Sequence, residues 1–209
     1  DQPMPHERVW KNNPIRVHLY GVDKWSALFT PRQRVFLATY CRLVREASVR
    51  VVETTRDAGF AEAVGTILAL AVSRLADISN AHCQWSNTST QVVHLFGRQA
   101  ISMTWDFAEP APFTPSVAGN LLTTLGSMCE FLSREAHLGG DATVARESAT
   151  RHPLPDDSAQ VLFTDPPYYD AVPYATLADF FYVCLRQAVP AWLRALFSES
   201  LIEKAEECV

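Results

Sequence analysis

Val161-Leu162-Phe163-Thr164-Asp165-Pro166-Pro167-Tyr168 is the stretch that decides how this chain is expected to fold. The apolar run at residues 160–164 is typical of a buried strand, and Asp165 follows it directly. In open α/β sheets, binding sites lie at the carboxyl ends of the strands. We therefore expect Asp165 to stand at the edge of a functional site.

The sequence on both sides of this stretch favours a parallel α/β sheet. Residues 142–147 are predicted as a short strand, residues 153–157 as a turn, and residues 175–186 as a helix with apolar positions at helical spacing. The order strand, loop, strand, loop, helix is typical of α/β proteins. The expected fold class is therefore α/β for the second half of the chain.

The first half has helical patterning instead. Thr30, Pro31 and Gln33 form a helix-start signal, in which threonine caps the helix and glutamine reaches back to it. We expect that helix to end near Asp57-Ala58-Gly59, with glycine as its C-terminal cap. Further helices are expected over residues 60–79 and from about 117 to 139. Residues 15–20 are predicted as a short strand and residues 80–115 as irregular. This divides the chain into a mainly helical insertion or DNA-contacting region at residues 1–112, and the α/β part at residues 113–209.

Composition and charge exclude several classes of protein. The 209 residues are 48% hydrophobic and 20% charged, as in ordinary globular proteins, and no apolar run reaches the roughly 18 residues of a membrane span. A net charge of −5 excludes a whole-surface nucleic-acid binder, so such contact would need a local basic patch. The first helix offers one candidate, although a solvated face is the usual explanation for such a set: Arg32, Arg34, Arg42, Arg45 and Arg50.

The five cysteines are scattered, odd in number and without a CxxC pair, which favours reduced thiols: Cys41, Cys83, Cys129, Cys184 and Cys208. No signal peptide opens the chain, so a cytoplasmic location is expected. The chain begins with Asp1 and ends on an acidic run. We interpret it as a piece of a longer polypeptide.

The tetrad Asp165-Pro166-Pro167-Tyr168 suits the handling of an amine on a nucleobase. Such an amine is a poor nucleophile because its lone pair is delocalised into the ring. The Asp165 carboxylate and the Pro166 carbonyl are two acceptors that could hold both N–H groups and free that lone pair. Two consecutive prolines fix the turn in advance, and Tyr168 offers a flat face for an extruded base. The alternative is a rigid loop without chemistry.

With its flanks, the tetrad resembles a known family. It is similar to the catalytic motif of amino-directed DNA methyltransferases, and aspartate in first place resembles the adenine-specific group. Residues 164–174 (TDPPYYDAVPY) and 177–186 (LADFFYVCLR) resemble large adenine-specific DNA methylases that contain a domain of unknown function. Residues 25–33 (WSALFTPRQ), 75–85 and 96–113 (FGRQAISMTWDFAEPAPF) resemble the central region of the same proteins.

The resemblance implies a Rossmann-like sheet and a site-specific, adenine-specific DNA methyltransferase that uses S-adenosylmethionine. Asp165 and Pro166 would hold the amine, Pro167 would set the turn, and Tyr168 would stack on the flipped base. Its substrate would further be contacted by Tyr169, Tyr174 and Arg98, and its cofactor by Ser148, Ala149 and Asp165. No metal is implied. Partners would be DNA, S-adenosylmethionine and the missing N-terminal part of the same polypeptide.

The departures from the family pattern concern the cofactor. Where the family often has a Gly-Asp-Ala run, this chain has Glu147-Ser148-Ala149, and a Phe-x-Gly-x-Gly loop for the methionine part of the cofactor is missing. Other targets stay open, namely RNA, cytosine or protein glutamine, as does a non-catalytic nucleic-acid-binding scaffold. Arg98 could reach a phosphate or pair with Asp106 or Glu109, and Asp179 is expected as a charge on a helix surface.

Overall fold

A computed structural model describes residues 4–9, 14–114, 117, 119–136, 151, 153–166, 168 and 172–205. Helices dominate these residues, and a two-stranded antiparallel sheet accompanies them, so the fold is mixed α/β. The elements in chain order are α1 (Pro31–Thr55), α2 (Ala58–Ile78), β1 (Gln84–Ser86), β2 (Gln91–Val93), α3 (Leu121–Glu135) and α4 (Tyr174–Ala188). Short 3₁₀ helices lie at Val17–Tyr20, Trp25–Leu28 and Ala191–Phe197. The expected parallel sheet is not seen among the described residues.

The start of α1 is the capping arrangement that its sequence predicts. The Thr30 hydroxyl accepts from the Gln33 amide at 3.3 Å, and Gln33 Oε1 accepts from the Thr30 amide at 2.8 Å. Two backbone N–H groups that the helix itself cannot satisfy therefore have partners. Pro31 occupies the first turn, where its missing N–H costs nothing.

The end of α1 differs from the prediction. The helix stops at Thr55, and Arg56 takes the left-handed conformation with φ of 56°. Asp57 then caps α2, because its Oδ1 accepts from the Phe60 amide at 2.9 Å. Gly59 is therefore inside the first turn of α2 and is not the cap of α1. Only two residues join the helices, and α1 and α2 pack together as a helical hairpin.

The core is built where α4 packs against this hairpin. Phe180 of α4 is fully buried, and its ring contacts four other rings at centroid distances of 5.2 to 6.0 Å: Trp25, Phe29, Phe96 and Phe181. The core thus joins residues from both sides of the predicted boundary at 112/113. That boundary stays a prediction.

Gly65 sets how closely α2 approaches its neighbours. A Cβ at this position would lie 2.7 Å from Ser48 Oγ on α1 and 2.7 Å from Pro190 Cγ, just after α4. These distances are far below van der Waals contact, so only glycine fits without movement. By length and composition α2 could cross a membrane, but the core helix of a globular protein meets the same criterion, and here α2 packs against α1, α3 and α4.

Two further predictions of local structure are wrong. Within residues 15–20 the structure has the 3₁₀ helix Val17–Tyr20, which Gly21 ends at φ of 85°. The segment predicted as irregular contains the hairpin β1–β2, in which Trp85 is paired with Val92. Three-residue strands are too short for alternation of polar and apolar residues to predict them.

The buried strand predicted at residues 160–164 is also not present. These residues have no regular secondary structure, and Val161, Leu162 and Phe163 are 79%, 79% and 93% exposed. A strand needs a neighbouring strand for its backbone hydrogen bonds, and none of the described residues pairs with this run. The strand predicted at residues 142–147 lies outside the described residues.

Candidate functional site

The described members of the Asp165 tetrad are open to solvent. Asp165 and Pro166 are exposed and Tyr168 is 77% exposed, while Pro167 lies outside the described residues. Among the described residues, Asp165 has neither a hydrogen bond nor an ion pair. Its carboxylate oxygens are therefore free to accept from a ligand.

Helix α4 connects this tetrad to the core. It begins at Tyr174, which is 45% exposed, while Ala175 and Thr176 in the next positions are already buried. Tyr174 is thus the partly exposed first residue of an anchored helix, six positions after Tyr168 in the sequence. Tyr169, the other tyrosine predicted to contact substrate, lies outside the described residues.

The aromatic side chains that follow on α4 serve the core. Phe180 is fully buried, and the Phe181 ring lies 5.3 Å from that of Phe96. The Tyr182 hydroxyl donates to the Glu199 carbonyl at 3.0 Å. Phe181 is therefore engaged in packing against the core. It does not cover Asp165, which stays exposed.

Arg98 is exposed in the loop after β2, within an isolated β-bridge to Ala100. Its predicted alternative partner Glu109 is bound by Arg32 instead, with Arg32 Nη2 at 2.6 Å from Glu109 Oε2. Among the described residues, Arg98 forms no ion pair. Its positive charge is available to a ligand.

The residues predicted to contact the cofactor do not form a pocket in the described part of the chain. Ser148 and Ala149 lie outside the described residues, and Asp165 is in the exposed run of residues 160–166. An adenosyl group needs enclosing apolar walls. The described residues around Asp165 do not fit that requirement.

Asp179 is not the helix-surface charge that its position in the sequence suggests. It is 1% exposed, and its carboxylate accepts from Lys204 Nζ and from the Ile202 amide, both at 3.0 Å. Burial raises the pKa of Asp179, although Lys204 and the amide act in the opposite direction. The pair fastens residues 202–204 to α4, which is a structural role.

Asp77 fixes the loop after β2 in a similar way. Its carbonyl accepts from the Leu95 amide at 2.8 Å, and its carboxylate accepts from the Phe96 amide at 3.3 Å. His94 Nδ1 lies 3.2 Å from the other carboxylate oxygen. Burial raises the pKa of Asp77, and the electrostatic interaction with His94 partly lowers it again. These contacts place Phe96 against Phe180, so they also serve the core.

The arginines predicted as a basic face on α1 are used in different ways. Arg32 is bound by Glu109, and Arg42 pairs with Glu46 one turn along the helix. Arg45 instead donates to the Gln187 carbonyl at the end of α4. Only part of the predicted face is therefore free to bind a phosphate backbone.

Arg45 takes part in a basic site that sequence reasoning missed. A surface cavity of about 380 Å³ is lined by Arg45, Arg186, Gln187, Arg194 and Phe197, and we call it the arginine pocket. Arg186 is in the last turn of α4, and Arg194 is in the 3₁₀ helix Ala191–Phe197. No sequence pattern connects residues so far apart in the chain, so only the packing of α4 on α1 brings them together.

The buried cysteines have no feature of a reactive site. Cys41, Cys83 and Cys184 are free and buried, and burial raises the pKa of the Cys41 thiol to about 12 and that of Cys83 to about 11. Cys129 on α3 is free and exposed. No disulfide joins these four cysteines, and Cys208 lies outside the described residues.

Comparison of the chain with models of protein families, with curated proteins and with solved structures finds no match. Assignment of a function therefore depends on the residues and geometry described above.

Proposed function

We propose that this chain holds the target amine in S-adenosylmethionine-dependent methylation of adenine in DNA. The observation that supports this function most directly is the state of the tetrad. Asp165 has no partner among the described residues, Pro166 follows it in the exposed run, and Tyr168 is 77% exposed. A group that must receive an extruded base has to be accessible in this way.

Three residues of the tetrad contact the substrate in this proposal. The Asp165 carboxylate accepts one N–H of the amine and the Pro166 carbonyl accepts the other, which makes the nitrogen lone pair available. Tyr168 stacks on the flipped adenine, and Tyr174 contacts the substrate from the start of α4. S-adenosylmethionine supplies the methyl group.

The proposal also requires a Rossmann-like sheet and a cofactor pocket formed with another part of the polypeptide. The exposed run Val161-Leu162-Phe163 supports this requirement. Three consecutive apolar residues that are each 79% or more exposed are unusual on the surface of a soluble monomer. In the complete protein we expect this run to become a strand of that sheet. The N-terminal part of the polypeptide is the expected source of its neighbours.

The test is methyl transfer by the full-length polypeptide to unmethylated DNA, followed by digestion and mass spectrometry of the nucleosides. Asp165→Ala is expected to lower methyladenine formation by about 10²–10³-fold or more, because it removes a preorganised acceptor at the reacting nitrogen. Asp156→Ala removes another exposed carboxylate of the same segment and is expected to leave transfer unchanged.

The outcomes separate this proposal from its alternatives. Wild-type activity in Asp165→Ala would refute the assignment of the tetrad. Methylcytosine in place of methyladenine, or transfer only to RNA or protein, would change the substrate but keep the role of Asp165. A full-length protein that binds DNA but not S-adenosylmethionine would favour the non-catalytic scaffold. Because Asp165 is exposed, the thermal unfolding midpoint of the Asp165→Ala variant should match that of the wild type in every case.

A further inference from the structure

The arginine pocket has more positive charge than its surroundings neutralise. Glu7 lies with its carboxylate 3.2 Å from Arg186 Nη1, but Arg45 and Arg194 have no ion pair within the described ranges. The carbonyl end of α4 adds roughly half a negative charge. About one and a half positive charges thus stay uncompensated, in a chain whose net charge is −5.

The same pocket has more hydrogen-bond donors than acceptors. A guanidinium carries five N–H donors in a planar fork. Arg45 uses Nη1 on the Gln187 carbonyl, and Arg186 uses Nη1 on the carbonyls of Glu199 and Ser200, at 3.0 and 3.4 Å. Arg194 has no hydrogen bond in the described part of the chain. A ligand that satisfies these donors must be an anion rich in acceptor oxygens, and phosphate fits this geometry because it accepts two parallel bonds from one guanidinium.

The position of the pocket indicates where the phosphate comes from. Tyr174, which contacts substrate in the proposed function, opens α4, and Arg186 lies twelve positions later on the same helix. At 1.5 Å per residue the two are about 18 Å apart along the helix axis. Successive base pairs are spaced at about 3.4 Å along the duplex, so for a duplex that runs along α4 a backbone phosphate about five base pairs from the target base would lie level with the pocket.

We infer that the arginine pocket binds a backbone phosphate of the DNA substrate. This inference rests on the proposed function, since it takes DNA as the substrate. Arg194 provides its unshared donors, while Arg45 and Arg186 are held in place by their bonds to backbone carbonyls. The contact carries no sequence information and fixes the position of the duplex relative to α4.

The test is fluorescence anisotropy of a labelled unmethylated duplex with the full-length protein, across a series of salt concentrations. Arg194→Gln is expected to weaken binding about fivefold at 0.15 M salt and to reduce the slope of log K against log salt by about 0.9, the value for one lost phosphate contact. Arg194 is exposed and has no hydrogen bond or ion pair in the described part of the chain, so the variant should fold normally. Arg74→Gln is the matched control, because it removes an exposed arginine of α2 that belongs neither to the pocket nor to the predicted basic face of α1.

Weaker DNA binding by Arg194→Gln, with unchanged binding by Arg74→Gln, supports the pocket. Unchanged DNA binding in Arg194→Gln, or equal losses in both variants, overturns it. Inorganic phosphate could instead stabilise the wild type thermally, with this effect lost in Arg194→Gln while the DNA affinity of that variant is unchanged. This result would assign the pocket to a free phosphate compound and overturn the DNA assignment. DNA binding can be measured without methyl transfer, so the two proposals can fail separately. If methyl transfer depends on Asp165 but DNA binding does not depend on Arg194, only the pocket proposal is refuted. If DNA binding depends on Arg194 but methyl transfer does not depend on Asp165, only the methylation proposal is refuted.

Discussion

Phe180 and Phe163 are the same residue type in two differently organised regions of the molecule. Phe180 is fully buried among four rings, in a core built from α1, α2, α4 and the segments before them. Phe163 is 93% exposed. We call the first region the helical core, and the second, formed by α3 and residues 153–166, the exposed region.

The difference between these regions comes from their partners and not from their composition. The helical core closes on itself because the apolar face of α4 finds the helical hairpin within the same chain. Helix α3 is amphipathic and rests on α2, yet it contains no fully buried residue, and its Leu122 and Phe131 are 60% and 55% exposed. Apolar surface of this kind would be covered if the exposed region packs against another part of the polypeptide, as proposed above. The following three comparisons test that division, from the largest expected effect to the smallest.

The first compares the thiols Cys41 and Cys129. Burial raises the pKa of Cys41 to about 12, so its thiolate fraction near pH 8 should be about 10³-fold below that of an ordinary thiol. Alkylation of the folded protein should therefore modify exposed Cys129 and leave Cys41 almost untouched, as measured peptide by peptide by mass spectrometry. In denaturant the two rates should become similar. Equal rates in the folded state would mean that the helical core is open.

The second compares Phe180→Ala with Phe163→Ala. Removing the buried ring should lower the free energy of unfolding by about 3–5 kcal/mol, since it leaves a cavity among four aromatic partners. Removing the exposed ring should change it by less than about 0.5 kcal/mol. Urea unfolding of this chain, followed by tryptophan fluorescence, measures both. A large cost for Phe163→Ala would show that residues 160–164 are buried within this chain.

The third compares two glycines inside helices. Gly65→Ala should destabilise the fold by about 1–3 kcal/mol, because the new Cβ would meet Ser48 Oγ and Pro190 Cγ at 2.7 Å. Gly126→Ala in α3 should stabilise it by about 0.5–1 kcal/mol, because nothing lies within 4 Å and alanine favours the helix. Thermal unfolding of the two variants should therefore show shifts of opposite sign. Shifts of the same sign would contradict the packing described at one of these positions.

Local signals in the sequence predicted the helices well. The capping residues Thr30 and Gln33 placed the start of α1, and apolar spacing placed α2 and α4 within a few residues of their observed bounds. The end of α1 was predicted wrongly, since glycine at position 59 is the usual stop signal but Arg56 takes the left-handed conformation instead. Helices are predictable because their hydrogen bonds and their caps are close in sequence.

Features that depend on distant contacts could not be predicted. An apolar run such as residues 160–164 has the pattern of a buried strand, but whether it is buried depends on neighbours that the pattern does not contain. The sequence predicts Asp179 as a surface charge, because nothing local signals its pairing with Lys204. The tetrad is recognisable from its own residues and is exposed in the structure, whereas its roles and the contacts with the cofactor stay predictions.

The two-residue link at Arg56 and Asp57 has a consequence for the order of folding. Closing so short a loop costs little entropy, so the α1–α2 hairpin is expected to form early, while α4 follows almost a hundred residues after α2. Trp25 and Phe29, which precede the hairpin in the chain and contact Phe180 in the folded protein, would therefore stay uncovered until α4 leaves the ribosome. The long segment between α2 and α4 thus sets how long the nascent chain carries an uncovered aromatic face, an interval in which chaperones can bind it.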